Sequence, residues 1–175
     1  MKLPLLLILL SYLLAGRPTS PRQVQEATVA FQIKNAGFAV RGSFSGLEAT
    51  VQLDAAHPEL SHIRATVPVS SIQTGIELRD KHLQKPDYFD AARFPLITLE
   101  SKTIRKIGTR HYEGLFALTL KGTTREVKLP FTVSAAKALR GTLHLNRLDF
   151  DIGKKSLVLA DEVTVDIAVQ LAGGS

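Results

Sequence analysis

The stretch Leu47-Glu48-Ala49-Thr50-Val51-Gln52-Leu53-Asp54 alternates without a slip between apolar and polar side chains. Successive side chains of a strand point to opposite faces, so a period of two builds one apolar face and one wet face. The same pattern returns three times. Ile63, Ala65, Val67 and Val69 interleave with His62, Arg64, Thr66 and Pro68; Val127, Leu129, Phe131 and Val133 with Lys128, Pro130 and Thr132. Val163, Val165, Ile167, Val169 and Leu171 repeat it near the end. Strands with one wet side pair antiparallel.

Eight such segments follow one another, near residues 26–34, 41–54, 61–70, 96–106, 111–121, 125–134, 140–149 and 161–171. Turn signals separate them: Ala56-His57-Pro58, Ile107-Gly108-Thr109, Lys121-Gly122-Thr123-Thr124 and Arg140-Gly141. Gly122 takes the positive φ that a tight hairpin requires. One stretch, Gly75 to Pro95, loses the period. There Ile76, Asp80 and Leu83 share a helical face, Thr74 is a candidate cap with Glu77 as its capping-box partner, and Pro86 ends the first turns. The expected fold is all-β: a closed, eight-stranded antiparallel barrel with a short helical insertion between strands 3 and 4. Closure removes the exposed edges of an open sheet. The interior of such a barrel is either filled by side chains or holds one small ligand. Small residues assigned to the inner wall, Ala49, Ala65, Val67, Ala117 and Val165, leave room for the second.

The chain has 175 residues, 45% hydrophobic and 22% charged, with no cysteine. That suits one globular domain and excludes a disulfide scaffold, a Cys-ligated metal and a thiol nucleophile. Lys2 precedes a Leu-rich run from Leu3 to Leu14, then Ala15, Gly16, Arg17 and Pro18. This is the pattern of a secretory signal peptide over residues 1–20, and the run is short for a membrane span. Residues 21–175 then form the domain. They hold 20 bases against 16 acids, a balance of +4, scattered along the chain. Nucleic acid is therefore not an expected partner. His57, His62, His82, His111 and His144 form no H-x-x-x-H pair, and no G-x-S-x-G, P-loop or G-x-G-x-x-G occurs. No catalytic set, metal site or cofactor is expected.

An ordered series of motifs resembles the YceI-like family: Arg41-Gly42-Ser43-Phe44, Arg79-Asp80-Lys81-His82-Leu83, Asp87-Tyr88-Phe89-Asp90 and Phe94-Pro95-Leu96-Ile97-Thr98 with Ser101. Leu118 to Thr124, Val127-Lys128-Leu129-Pro130, Asn146-Arg147-Leu148-Asp149-Phe150 and Asp161-Glu162-Val163 complete it. The run Gly153-Lys154-Lys155-Ser156 stands where members often carry a Trp-Asn pair. The resemblance implies an extended lipocalin-like barrel, exported to the periplasm or secreted. It implies a polyisoprenoid or similar long-chain lipid held in the lumen, for binding, storage or transport, and no enzyme activity.

On that reading the ligand-binding wall includes Phe31, Ile33, Phe44, Val51, Ile63, Val67, Phe116, Leu118, Phe131 and Val165. Arg79, Asp80 and His82 share a helix beside the mouth, where they either orient a headgroup or pin the helix to the barrel. Arg147 and Asp149, two apart, are expected to form an ion pair on one side of a strand. Burying ten carbons of an isoprenoid contributes roughly 8 kcal/mol before the cost of immobilisation. The alternative is a stress-response or interaction module with a filled barrel and no lipid cargo; an enzyme acting on a lumen-bound molecule is a third. The resemblance also implies that copies of the chain can pair, through strands or the helix, as a homodimer.

Overall fold

The computed structural model describes residues 20–172, so the leader expected over residues 1–20 lies outside them except for Ser20. Among the described residues nine strands form one antiparallel sheet. They are β1 (Arg22–Asn35), β2 (Phe38–Phe44), β3 (Glu48–Gln52), β4 (His62–Pro68), β5 (Leu96–Gly108), β6 (His111–Leu120), β7 (Thr123–Val133), β8 (Ala138–Asn146) and β9 (Leu159–Leu171). The last strand returns to the first, pairing from Val24↔Leu171 to Asn35↔Leu159, and the sheet closes.

The single strand expected over 41–54 is two strands. They occupy one position in the wall: Val29 faces Phe44 and Arg22 faces Val51, one register continued along β1. The barrel is thus eight-stranded, with one broken stave. The cause of the break lies on the neighbouring strand. β3 pairs with β4 up to Glu48↔Thr66, and two residues beyond Thr66 stands Pro68, which has no N–H to give. Gly46, at φ +70°, turns the chain there. β2 then swings away from β4, and Gln73 takes the vacated place. Ser43 and Gln73 exchange both backbone hydrogen bonds, at 2.8 and 2.9 Å.

A second seam is thin as well. β7 and β8 share only the pairs Phe131↔Gly141, Thr132↔Arg140 and Val133↔Leu139. Above Gly141 the strands part, and a 3-10 turn, Arg147–Phe150, packs beside them. Phe150 and Ile152 are buried, Arg125 Nε donates to the Asp149 carbonyl at 3.2 Å, and Lys121 Nζ donates to the Asp151 carbonyl at 2.7 Å. The strand expected to reach residue 149 therefore ends at Asn146. There the Asn146 side chain accepts the Leu148 N–H at 2.9 Å and starts the turn.

Between β4 and β5 runs the helical insertion, with α1 (Glu77–Leu83) at its start. Thr74 does not cap it; the N-cap is Ile76, without a side-chain cap bond. Asp80 reaches back instead, and its Oδ1 accepts from the Thr74 N–H at 2.9 Å and the Thr74 hydroxyl at 2.5 Å. After α1, turns carry the chain across the upper end of the barrel. The Gly153 N–H donates to the Asp87 carbonyl at 2.8 Å, and the Phe94 ring lies against Gly122 in the β6–β7 turn. At the lower end Tyr112 and Phe131 stack with centroids 5.4 Å apart. Most inner-face assignments hold, with one correction. Ala117 faces outward, between Glu100 and Glu126, because Phe116 and Leu118 on either side of it are the buried members of β6.

Candidate binding site in the barrel lumen

The inward rows of the strands do not meet across the axis. They enclose a cavity of about 420 Å³, within the range of small-molecule sites. β1 contributes Phe31 and Ile33, β2 Phe44, β3 Val51, and β4 Ile63 and Val67. From the opposite wall come Phe116 and Leu118 of β6, Phe131 of β7 and Val165 of β9. Ala49 and Ala65, directly paired, form a shallow stretch of wall where bulk is missing. All ten wall residues expected from the sequence thus border the space, because the period of two fixed their face.

Aromatic rings connect wall and cover. Phe31 lies over Gly42, its partner on β2, where no Cβ intervenes. Its ring is 5.5 Å from Phe44, which meets Phe89 of the insertion edge-on at 5.9 Å. Phe89, Tyr88 and Leu83 complete the upper wall. The motifs drew attention to these three but not to their place in the wall, since the insertion has no strand period and meets the cavity only by folding over it. Val29 is different: it shares the alternation of Phe31 and Ile33 and could have been named with them.

The three polar residues of α1 separate. Arg79 borders the cavity, with its Nε donating to the Thr74 hydroxyl at 2.7 Å and its Nη2 to the Thr74 carbonyl at 2.7 Å. Among the described residues no carboxylate forms an ion pair with it. His82 also borders the cavity from an exposed position, its ring 5.1 Å from Tyr88. Asp80 does not line the cavity; it holds Thr74 and so braces the start of the insertion.

The expected Arg147–Asp149 pair does not form. Arg147 is 3% exposed and its carboxylate partner is Asp161, at 3.1 Å, while Asp149 is exposed on the 3-10 turn. The other guanidinium donors reach the carbonyls of Ala160, Ile152 and Lys154 at 2.8–2.9 Å. Arg147 therefore organises the loop that leads into β9 and has little left to offer a ligand. The arrangement as a whole is an apolar sleeve with hydrogen-bonding groups gathered at its upper end. It suits a molecule with a long apolar part and a small polar one.

A YceI-like domain matches residues 23–171. The chain belongs to the YceI-like family. It is 30% identical, over 167 residues, to a UPF0312 protein of Ectopseudomonas mendocina (strain ymp), a match covering 87% of this chain and 84% of that one. Among solved structures, Burkholderia cenocepacia BcnA is similar at a TM-score of 0.79 and 27% identity, over 84% of this chain and 96% of that one. A polyisoprenoid binding domain from Saccharophagus degradans, implicated in plant cell wall breakdown, has a TM-score of 0.65 and 13% identity. It covers 89% of this chain and 99% of its own, and at that identity the likeness is one of fold. The YceI-like barrel expected from the motif series is the fold observed.

Proposed function

We propose that this YceI-like protein binds a long-chain isoprenoid, or a similar amphiphile, with its tail in the lumen and its head beside Arg79 and His82. It acts as a carrier rather than an enzyme, exported by residues 1–20. The observation that carries this reading is the apolar cavity. Were that space dry and empty, the unmade contacts would cost on the order of 10 kcal/mol, comparable to the whole net stability of a domain. Each methylene buried there returns about 0.8 kcal/mol. An apolar guest therefore stabilises the barrel, and a filled barrel with no cargo fits a cavity of this size poorly. The Saccharophagus degradans domain, named for polyisoprenoid binding and sharing the fold, supports the same reading.

Isoprene units offer no hydrogen bonds, so discrimination along the tail rests on length and girth. Discrimination at the head rests on Arg79, whose guanidinium is held in place by Thr74 yet has no carboxylate partner among the described residues. The test is gentle organic extraction of the purified protein followed by mass spectrometry. A bound long-chain isoprenoid is expected. Empty protein that also takes up no added polyprenyl lipid would refute the proposal.

A further inference from the structure

Large apolar side chains stand in water around the upper end of the barrel. Phe38 is 78% exposed, Leu78 is 79% exposed and Leu157 is fully exposed, with Ile76 and Val158 more than half exposed. They come from three separate segments: the β1–β2 turn, the start of α1 and the loop leading into β9. These segments are tied together there. The Ala36 N–H donates to the Val158 carbonyl at 2.7 Å, and the Gly153 N–H donates to the Asp87 carbonyl at 2.8 Å. They also flank the cavity's upper boundary, since Asn35, Val40, Arg79 and Leu159 line it. At the opposite end, among the described residues, only Leu60 and Ile107 are comparably exposed.

The cations of this rim lie among the apolar tips. Lys34 precedes the β1–β2 turn, Lys81 follows Leu78 by one turn of helix, and Lys154 and Lys155 precede Leu157. Lys81 pairs with Glu77 and Lys155 with Asp161. Lys34 and Lys154 have no carboxylate partner among the described residues.

We infer that this rim is a docking surface for an anionic lipid bilayer. Apolar tips on separate segments enter the acyl boundary, while lysines beside them meet acidic headgroups. Asn35, Arg79, His82 and Leu159 line the lumen on the same side, so a water-insoluble molecule entering past them would pass between bilayer and barrel without crossing bulk water. That passage rests on the function proposed above; the docking itself does not.

The chain has no tryptophan, so a single one reports its own surroundings. Leu157→Trp is expected to shift its emission to the blue with vesicles of equal phosphatidylglycerol and phosphatidylcholine, and much less with phosphatidylcholine alone. Added salt reverses the shift. Leu60→Trp, at the other end, is expected not to shift. Phe38→Glu, Leu78→Glu or Lys154→Glu on the Leu157→Trp background weakens partitioning by about tenfold. No shift with acidic vesicles, equal shifts at both reporters, or insensitivity to all three rim substitutions would overturn the inference. So would a blue shift without vesicles that grows with protein concentration, which marks a second copy of the chain as the occupant. Uptake of a fluorescent polyprenyl probe added from ethanol is followed in parallel. Rim variants that lose vesicle binding but keep uptake support docking; vesicle binding without uptake in the parent protein refutes the cargo and leaves docking standing.

Discussion

Arg147 is a buried guanidinium whose donors meet four backbone carbonyls and one carboxylate. Removing it leaves those carbonyls without their donor in a largely buried site and leaves Asp161 to Lys155 alone. Arg147→Met is expected to cost about 3 kcal/mol or more in a urea titration. Arg147→Lys should recover little, because one ammonium cannot reach acceptors spread around a planar fork. The motif drew attention to Arg147, but its partner was not legible: Asp161 is fourteen residues on, and only the return of β9 brings it close. Gly42 makes a converse case. A Cβ there collides with the Phe31 ring and comes within 2.8 Å of the Gln73 carbonyl. Gly42→Ala is expected to cost about 1–3 kcal/mol and to push the ring toward the lumen, lowering probe uptake along with the melting temperature.

The strands were readable wherever one face is wet, since alternation reports burial directly. The breaks were less readable because their causes are nonlocal or mimic the pattern. Pro68 interrupts the ladder that its partner strand would otherwise continue. Arg147-Leu148-Asp149-Phe150 alternates like a strand, yet the Asn146 side chain turns it into a 3-10 segment. In the insertion, capping reasoning chose Thr74 as acceptor, whereas Thr74 is the donor and Asp80 accepts. Asp80→Asn is accordingly expected to loosen the insertion while sparing the barrel. Amide hydrogen exchange should quicken over residues 74–83 and stay unchanged in β6; equal protection in both would contradict the assigned brace. The turn between β3 and β4 makes a pH prediction. The backbone N–H groups of His57 and then Ala56 hold the Asp54 carboxyl below its ordinary value. A depressed folded pKa stabilises above the unfolded value, and the contribution fades as pH falls through the folded one. Exchange in residues 54–61 is expected to rise on acidification below the ordinary carboxylate range, and Asp54→Asn is expected to remove that dependence.

For the whole molecule, closure, an apolar interior and a helical cover follow from a handful of sequence features: the period of two, its single lapse at Gly75–Pro95, and small residues such as Ala49 and Ala65 on inward positions. The sequence could not reveal how the cover lies. Leu83, Tyr88 and Phe89 become wall only after Gln73 pairs with Ser43 and Asp87 meets Gly153. The account stands on the lumen being open to an alkyl tail, and occupancy of that lumen is directly measurable. The decisive comparison is titration of a polyprenyl lipid into the parent protein and into Ala65→Phe, which places a ring where the wall is shallow. Each protein's fold is checked by circular dichroism, and binding is read by native mass spectrometry and by the rise in melting temperature with ligand. One lipid per parent chain is predicted, with binding at least about tenfold weaker in the folded variant. No uptake by the parent protein, or equal uptake by both, would contradict it.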